Sequence, residues 1–216
     1  MYLLYGGPGN ANLAPHAALQ EAGLAEGTDY RFVKLDLKAG EHRKPDYLAL
    51  NPHGVVPALV IEKDGSRQIV CEAAAILMHI ADLYPASGLA PMPGSADRAA
   101  YYQWITYLTN TVQARFMNFY HSDYFIDGSA GQAAVKAKAD TALKEHFAHI
   151  DATLAKHGPY LLGEAFSAAD LFLFMLTRWG RNLSRPARDF PQVGKHFERV
   201  LARPAVRRTL AIEGIS

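Results

Sequence analysis

Glu72-Ala73 is the dipeptide with the clearest chemical potential, because a strand-like apolar run ends there and a helical pattern begins. The first N–H groups of a helix have no partner within it, and they attract negative charge. The position therefore predicts a binding site for a carboxylate or a similar anion. The alternative is that the Glu72 side chain only caps its own helix.

Three further positions carry residues whose role the sequence alone leaves open. His42 and Arg43 are basic neighbours in a loop, and they are either partners for an anion or ordinary solvated charges. Val56-Pro57 interrupts an apolar run, and proline deletes a ladder donor, so the plain interpretation is an edge strand. Asn12 precedes a run with helical periodicity, where asparagine is a good N-cap.

A polar set recurs at helical spacing further along the chain. Tyr107, Asn110 and Gln113 stand at i, i+3 and i+6, so they share one face of an α-helix. They predict part of a pocket wall, while core packing or a dimer contact explains Tyr107 equally well. His146 and His149 lie three residues apart without further ligands, so a solvated helix face is the better interpretation and no metal site is predicted.

The first eighty residues alternate strand and helix patterns that position these side chains. The predicted elements are strand 2–5, helix 13–24, strand 30–37, strands 55–62 and 68–71, and helix 76–84. Asp64-Gly65 between the last two strands is a strong hairpin signal. Two strands joined through a helix, followed by a hairpin and a covering helix, predict a small mixed sheet with helices on its faces.

A linker is predicted at residues 82–94, where Pro, Gly and Ser are frequent and periodicity is lost. It separates a first domain, residues 1–81, from a second domain, residues 95–216. No strand pattern follows the linker, so the second domain is predicted to be entirely helical.

Two features define the helices of this second domain. Ser167 and Asp170 are placed like a capping box before a helix that is apolar on every side, as expected in the middle of a bundle. A core-facing stripe precedes it, formed by Leu143, Phe147, Ile150 and Leu154.

The composition excludes several classes of protein. The 216 residues are 50% hydrophobic and 20% charged, which is typical of a soluble globular chain. The formal net charge of +1 gives no electrostatic reason to bind nucleic acid or an anionic membrane. Cys71 is the only cysteine, so no disulfide forms within the chain. We expect a soluble, cytoplasmic protein without a signal peptide or a membrane span.

Four segments in register resemble the glutathione transferase superfamily. They are the loop into the third strand (residues 40–59, GEHRKPDYLALNPHGVVPAL), the turn Glu72-Ala73, the helix start YLLGEAFSAAD (residues 160–170), and PGNANLAPH (residues 8–16), which is closest to the bacterial beta class. The resemblance extends over the whole chain. It implies a thioredoxin-like N-terminal domain with a mixed four-stranded sheet, followed by an all-helical C-terminal bundle.

The resemblance also implies a role for each candidate binding residue. The Val56–Pro57 peptide bond is expected to be cis, with the Val56 backbone paired to the cysteine backbone of glutathione like an added strand. Glu72-Ala73 is expected to hold the γ-glutamyl carboxylate, although Ala73 replaces the usual serine and one hydroxyl contact is lost. His42 and Arg43 match basic positions that are expected to bind the glycine carboxylate.

The residue that activates the thiol departs from the superfamily pattern. Aligned on the beta class, Ala11 stands at the cysteine position, Asn12 at the following serine position, and Gln113 where a histidine is expected. Tyr5 lies within the first strand, too early to be the catalytic tyrosine of other classes. Asn12 is therefore the remaining catalytic candidate.

The free energies of single interactions are large enough for an amide to lower the pKa of the glutathione thiol. Lowering a thiol pKa by about two units requires roughly 2.7 kcal/mol in favour of the anion. A hydrogen bond to a charged group contributes roughly 1.5–3 kcal/mol, and a helix N-terminus adds roughly 0.3–1 kcal/mol. Asn12 as a mere N-cap is the alternative, but Pro15 at N3 would have no N–H to donate to it. The two roles are compatible.

Three functional hypotheses follow from the resemblance. The first is a glutathione transferase that conjugates the glutathione thiolate to a small hydrophobic electrophile, with glutathione as co-substrate and no metal. The second is glutathione-dependent disulfide or peroxide reduction, because Asn10 and Asn12 loosely resemble the site of relatives with that chemistry. The third is a non-catalytic binding protein, because the usual Tyr, Ser or Cys is absent. A symmetric homodimer is expected in each case.

Overall fold

A four-stranded mixed sheet organises the N-terminal part of the chain. The computed structural model describes all 216 residues. The strands are β1 (Tyr2–Gly6), β2 (Tyr30–Lys34), β3 (Ala58–Lys63) and β4 (Ser66–Cys71), in the order β2-β1-β3-β4. β1 pairs with β2 in parallel and with β3 in antiparallel register, and β3 pairs with β4 as the hairpin predicted from Asp64-Gly65.

Three helices accompany this sheet, α1 (Leu13–Glu21), the short α2 (Pro45–Leu48) and α3 (Ala73–Leu83). α1 packs against α3, and both contribute buried side chains to the core beneath the sheet. Leu4 and Leu59 of the sheet and Ile76 of α3 have no exposed surface. The predicted elements are thus present, with helix α1 ending before Gly23, which adopts a φ of +82°.

The remaining helices follow the predicted linker. They are α4 (Ala96–Thr106), α5 (Ala114–Tyr120), α6 (Ser129–His157), α7 (Ala168–Trp179), α8 (Pro191–Leu201) and α9 (Pro204–Glu213). A π-helical segment, Tyr107–Gln113, joins α4 to α5. Every residue of α7 from Ala168 to Thr177 is buried, and so are all four residues of the stripe predicted on α6.

Asp170 fixes the start of α7 as the predicted capping box requires. Its carboxylate has no exposed surface and accepts the backbone N–H of Ser167 at 2.8 Å and that of Leu161 at 2.9 Å. His196 of α8 places Nε2 at 2.9 Å from the same carboxylate. Three segments of the helical part therefore meet at one buried acid.

The chain divides into two compact units, residues 1–90 with 202–216, and residues 91–201. This differs from the sequence-based boundary, which assigns residues 95–216 to the helical domain. The difference arises because α9 packs against α1, where Arg203 forms a bidentate ion pair with Glu21 at 2.6 and 2.8 Å. The predicted fold class, a thioredoxin-like sheet domain followed by helices, is confirmed. None of the helices combines the length and apolarity that crossing a bilayer requires.

Candidate functional site

The register of the sheet brings the candidate binding segments to one edge. β1 ends at Gly6, one residue after Tyr5 pairs with Ala58, the first residue of β3. Ala58 also pairs with Cys71, the last residue of β4. The loop after β1, the residues before β3 and the turn after β4 therefore emerge side by side. We call this edge, formed by residues 7–12, 55–57 and 72–73, the site edge.

The segment before β3 is held by two side chains of the first unit. The hydroxyl of Tyr47 and the amide of Asn51 each donate to the Val55 carbonyl at 2.7 Å. Burial raises the pKa of Tyr47, so its hydroxyl keeps the proton that it donates. The Val56–Pro57 bond is cis, as the resemblance implies. Because the β3 ladder begins at Ala58, the Val56 backbone lies outside it.

The turn after β4 has an unusual backbone. Glu72 adopts φ +68° and ψ 116°, although a positive φ is uncommon for a residue other than glycine. Such strain clusters at binding sites, where the surrounding structure maintains it. The Glu72 side chain is exposed and makes no capping bond, so the self-capping alternative does not hold here. α3 begins directly at Ala73, whose N–H has no partner within the helix.

His42 lies next to the segment that leads into the site edge. It belongs to a short 3-10 turn, Glu41–Arg43, and its carbonyl would lie 3.3 Å from a Cβ placed on Gly54. Burial, and then the charge of Arg43, lower the pKa of His42, so the imidazole is neutral at neutral pH. A ligand carboxylate would favour the protonated form, and its affinity for His42 therefore rises as the pH falls.

Asn12 lies at the N-cap position of α1, as the sequence analysis expects, but its side chain has a different partner. Its side chain has no exposed surface, and Nδ2 donates to Glu213 at 2.9 Å. The space for it exists because Gly6 lacks a side chain: a Cβ there would lie 2.3 Å from the Asn12 amide carbon. Asn12 also makes no capping bond to α1. A side chain enclosed in this way does not reach a ligand, so neither predicted role of the amide holds in this structure.

Glu213 is the polar residue of this region that the sequence analysis missed. It is 1% exposed and belongs to α9, and its carboxylate also accepts the Gly9 N–H at 2.7 Å and lies 2.8 Å from His16 Nδ1. One signal was present in the sequence. Glu213 follows Val206 and Leu210 at i+7 and i+3, which places an acid on the apolar face of the last helix.

The predicted pocket-wall residues do not share one face. Residues 107–113 are π-helical, with hydrogen bonds between residues five apart, so the α-helical spacing rule no longer applies to them. Asn110 is exposed and Gln113 is half-buried. The Tyr107 hydroxyl lies 2.9 Å from His146 Nδ1. Burial raises the pKa of Tyr107 and lowers that of His146, so the hydroxyl donates to a neutral imidazole.

Comparisons with known proteins agree with this architecture. The family model described as glutathione S-transferase, N-terminal domain, matches residues 2–82, and the model for the C-terminal domain matches residues 104–204. Glutathione S-transferase 3 of Zea mays is 33% identical over 96% of this chain and 92% of its own length. The superfamily resemblance is therefore confirmed.

Two further proteins bear on the chemistry. A crystal structure of a glutathione transferase homologue from Sulfitobacter, solved with bound glutathione, superposes with a TM-score of 0.89 at 28% identity, covering 100% of this chain and 99% of its own. The disulfide-bond oxidoreductase YfcG of Escherichia coli is 27% identical over 89% of this chain and 86% of its own length.

Proposed function

The chain belongs to the glutathione S-transferase family, and on this premise we propose that it conjugates the thiolate of glutathione to a small hydrophobic electrophile. One observation carries the proposal, namely that the strand register places the loop after β1, Val56 and Ala73 at the same edge of the sheet. A tripeptide lying along this edge meets a partner for each of its parts.

Each part of glutathione has a complementary group at the site edge or, in the case of His42, next to the segment that leads into it. The Val56 backbone, which lies outside the β3 ladder, pairs with the backbone of the ligand's cysteine in the manner of strand addition. The Ala73 N–H at the start of α3 binds the γ-glutamyl carboxylate, next to the strained and exposed Glu72. His42 donates to the glycine carboxylate.

A backbone group takes over the role that the sequence analysis assigned to the Asn12 side chain. In the loop before α1, the N–H groups of Asn10 and Leu13 bond the carbonyls of Gly7 and Asn10 at 3.1 and 3.0 Å, whereas no bond engages that of Ala11. We propose that the Ala11 N–H, aided by the N-terminus of α1, stabilises the thiolate. A bond to a charged acceptor contributes roughly 1.5–3 kcal/mol and the dipole roughly 0.3–1 kcal/mol, and this combined range includes the roughly 2.7 kcal/mol that a shift of about two units requires.

The second candidate function is glutathione-dependent reduction of disulfides. The similarity to a disulfide-bond oxidoreductase favours it. The site edge also lacks the Tyr, Ser or Cys side chain with which other members of the family activate the thiol. Both functions use the same thiolate. They differ in whether the acceptor is an electrophilic carbon or a sulfur atom.

A direct comparison of rates tests the assignment. We expect the purified protein to conjugate glutathione to 1-chloro-2,4-dinitrobenzene with a higher kcat/KM than it reduces the mixed disulfide of glutathione and 2-hydroxyethanethiol. Faster reduction of the mixed disulfide would assign the protein to the second function. Binding of glutathione without either reaction would leave a non-catalytic binding protein.

Two further parts of the proposal concern the contacts of the electrophile and the assembly of the protein. We propose that side chains of the π-helical segment Tyr107–Gln113 contact the electrophile, since π-helical turns occur frequently at functional sites. We also propose a symmetric homodimer in the cytoplasm, as the family resemblance implies.

A further inference from the structure

A buried carboxylate of the last helix holds the loop in which the proposed thiolate donor lies. Glu213 receives three hydrogen bonds, from the Gly9 N–H at 2.7 Å, the Asn12 amide at 2.9 Å and His16 Nδ1 at 2.8 Å. Gly9 and Asn12 lie on either side of Ala11 in the loop 7–12. Both carboxylate oxygens are used, and the residue is 1% exposed.

The third donor is itself fixed from the opposite side. His16 Nε2 lies 2.9 Å from the Tyr30 hydroxyl, and Gln20 donates to the same hydroxyl. Burial raises the pKa of Tyr30 to about 12, so the hydroxyl stays protonated. It donates a hydrogen bond to His16 Nε2. His16 Nδ1 therefore carries the proton that points to Glu213. The chain of bonds runs from β2 through α1 to α9 and ends on the loop.

We propose that Glu213 is a positioning residue for glutathione activation, an inference that rests on the proposed function. Its carboxylate fixes Gly9 and Asn12, and it thereby aims the Ala11 N–H at the sulfur atom. Hydrogen bonds to a charged acceptor are roughly twice as strong as neutral ones, and precise orientation of a donor is what makes it effective toward a developing charge. Glu213 contacts neither glutathione nor the electrophile.

The negative charge of Glu213 has an effect of the opposite sign. A carboxylate near the site repels a thiolate and raises its pKa, whereas correct positioning of the donor lowers it. The structure favours positioning, because three donors already compensate the carboxylate. Neutralising Glu213 decides between the two effects: the thiol pKa rises if positioning dominates, and it falls if repulsion dominates.

The test compares two glutamine substitutions in full-length protein. Glu213→Gln keeps the size of the side chain but replaces one acceptor oxygen by a donor that faces N–H groups. Glu21→Gln is the matched control, because Glu21 also joins α1 to α9, through Arg203, but makes no bond to the loop. The readouts are thiolate absorbance of bound glutathione against pH, glutathione affinity by calorimetry, and kcat/KM.

We expect Glu213→Gln to raise the pKa of bound glutathione by about one unit, which lowers kcat/KM about tenfold at a pH below both values. At that same low pH, where glutathione binds with its thiol protonated, its affinity should change by less than about threefold, since the binding groups at Val56 and Ala73 are untouched. Glu21→Gln should leave the thiol pKa unchanged. An unchanged or lower thiol pKa in Glu213→Gln, or an equal rise in both variants, would overturn the proposal.

An exchange variant covers the case in which Glu213→Gln does not fold. Asn12→Asp combined with Glu213→Gln reverses the donor and the acceptor of one bond, and it should return the thiol pKa at least halfway to its original value. A folded exchange variant with a fully raised thiol pKa would contradict positioning through Asn12. Absence of glutathione binding by the unmodified protein would instead overturn the proposed function and this inference with it.

Discussion

Replacing Ala73 by proline is expected to weaken glutathione binding about 50-fold, because it deletes the N–H that binds the γ-glutamyl carboxylate and a bond to a charged acceptor contributes roughly 1.5–3 kcal/mol. Ala73 is the first residue of α3, and proline is well tolerated there since that N–H has no partner within the helix. A proline disfavours helical backbone angles at the residue before it, and the ψ of Glu72 is 116°, which is not helical. Isothermal titration calorimetry measures the loss.

Two controls make this result specific. Thermal melting of Ala73→Pro should stay close to that of the unmodified protein, because proline suits the first position of a helix, where the deleted N–H has no partner within the helix. Ala73→Ser keeps the N–H and adds a hydroxyl, and it should strengthen binding about fivefold, as expected from one additional hydrogen bond of about 1 kcal/mol. A folded Ala73→Pro variant with unchanged affinity would mean that the carboxylate binds elsewhere.

Replacing Asp170 by alanine is expected to destabilise the helical unit by about 3–5 kcal/mol, because it leaves buried donors without their shared acceptor. The N–H groups of Leu161 and Ser167 and the His196 ring all point to this carboxylate, and both Asp170 and His196 have no exposed surface. For a chain of this size the melting temperature should fall by about 10 °C. Differential scanning calorimetry measures it.

The neighbouring cap residue provides the comparison. Ser167→Ala removes a hydroxyl that donates to Asp170 at 3.1 Å but keeps the backbone bond, so it should cost only about 1 kcal/mol. If Asp170→Ala melted within about 3 °C of the unmodified protein, the buried acid would contribute less than about 1 kcal/mol. The network would then not explain why α7 and α8 pack as they do.

Local signals predicted much of this fold. Asp64-Gly65 needs no distant partner to form a hairpin turn, and the hairpin is present between β3 and β4. Ser167 and Asp170 lie three residues apart, so their capping bonds depend on local geometry alone. Glu72-Ala73 was identified because the end of a strand and the start of a helix are both local patterns, and it lies where the sheet register places the candidate site.

Two expectations about the candidate site differ from the structure, each for its own physical reason. The position of Asn12 depends on Glu213, 201 residues away, and no local pattern reports a contact of that range. The spacing of Tyr107, Asn110 and Gln113 assumed an α-helix, but the backbone changes to π-helical pairing over these residues. A long apolar-periodic segment does not distinguish the two kinds of turn, because both place buried residues such as Leu108 and Val112 toward the core.

The most direct test of the account is a pH titration of the thiolate absorbance of glutathione bound to the unmodified protein. A free thiol has a pKa near about 8.5, and we predict a bound value about two units lower, produced by the loop before α1 without a hydroxyl or thiol side chain. A bound thiol that titrates at the free value would contradict the account, since the site edge would then hold glutathione without activating it.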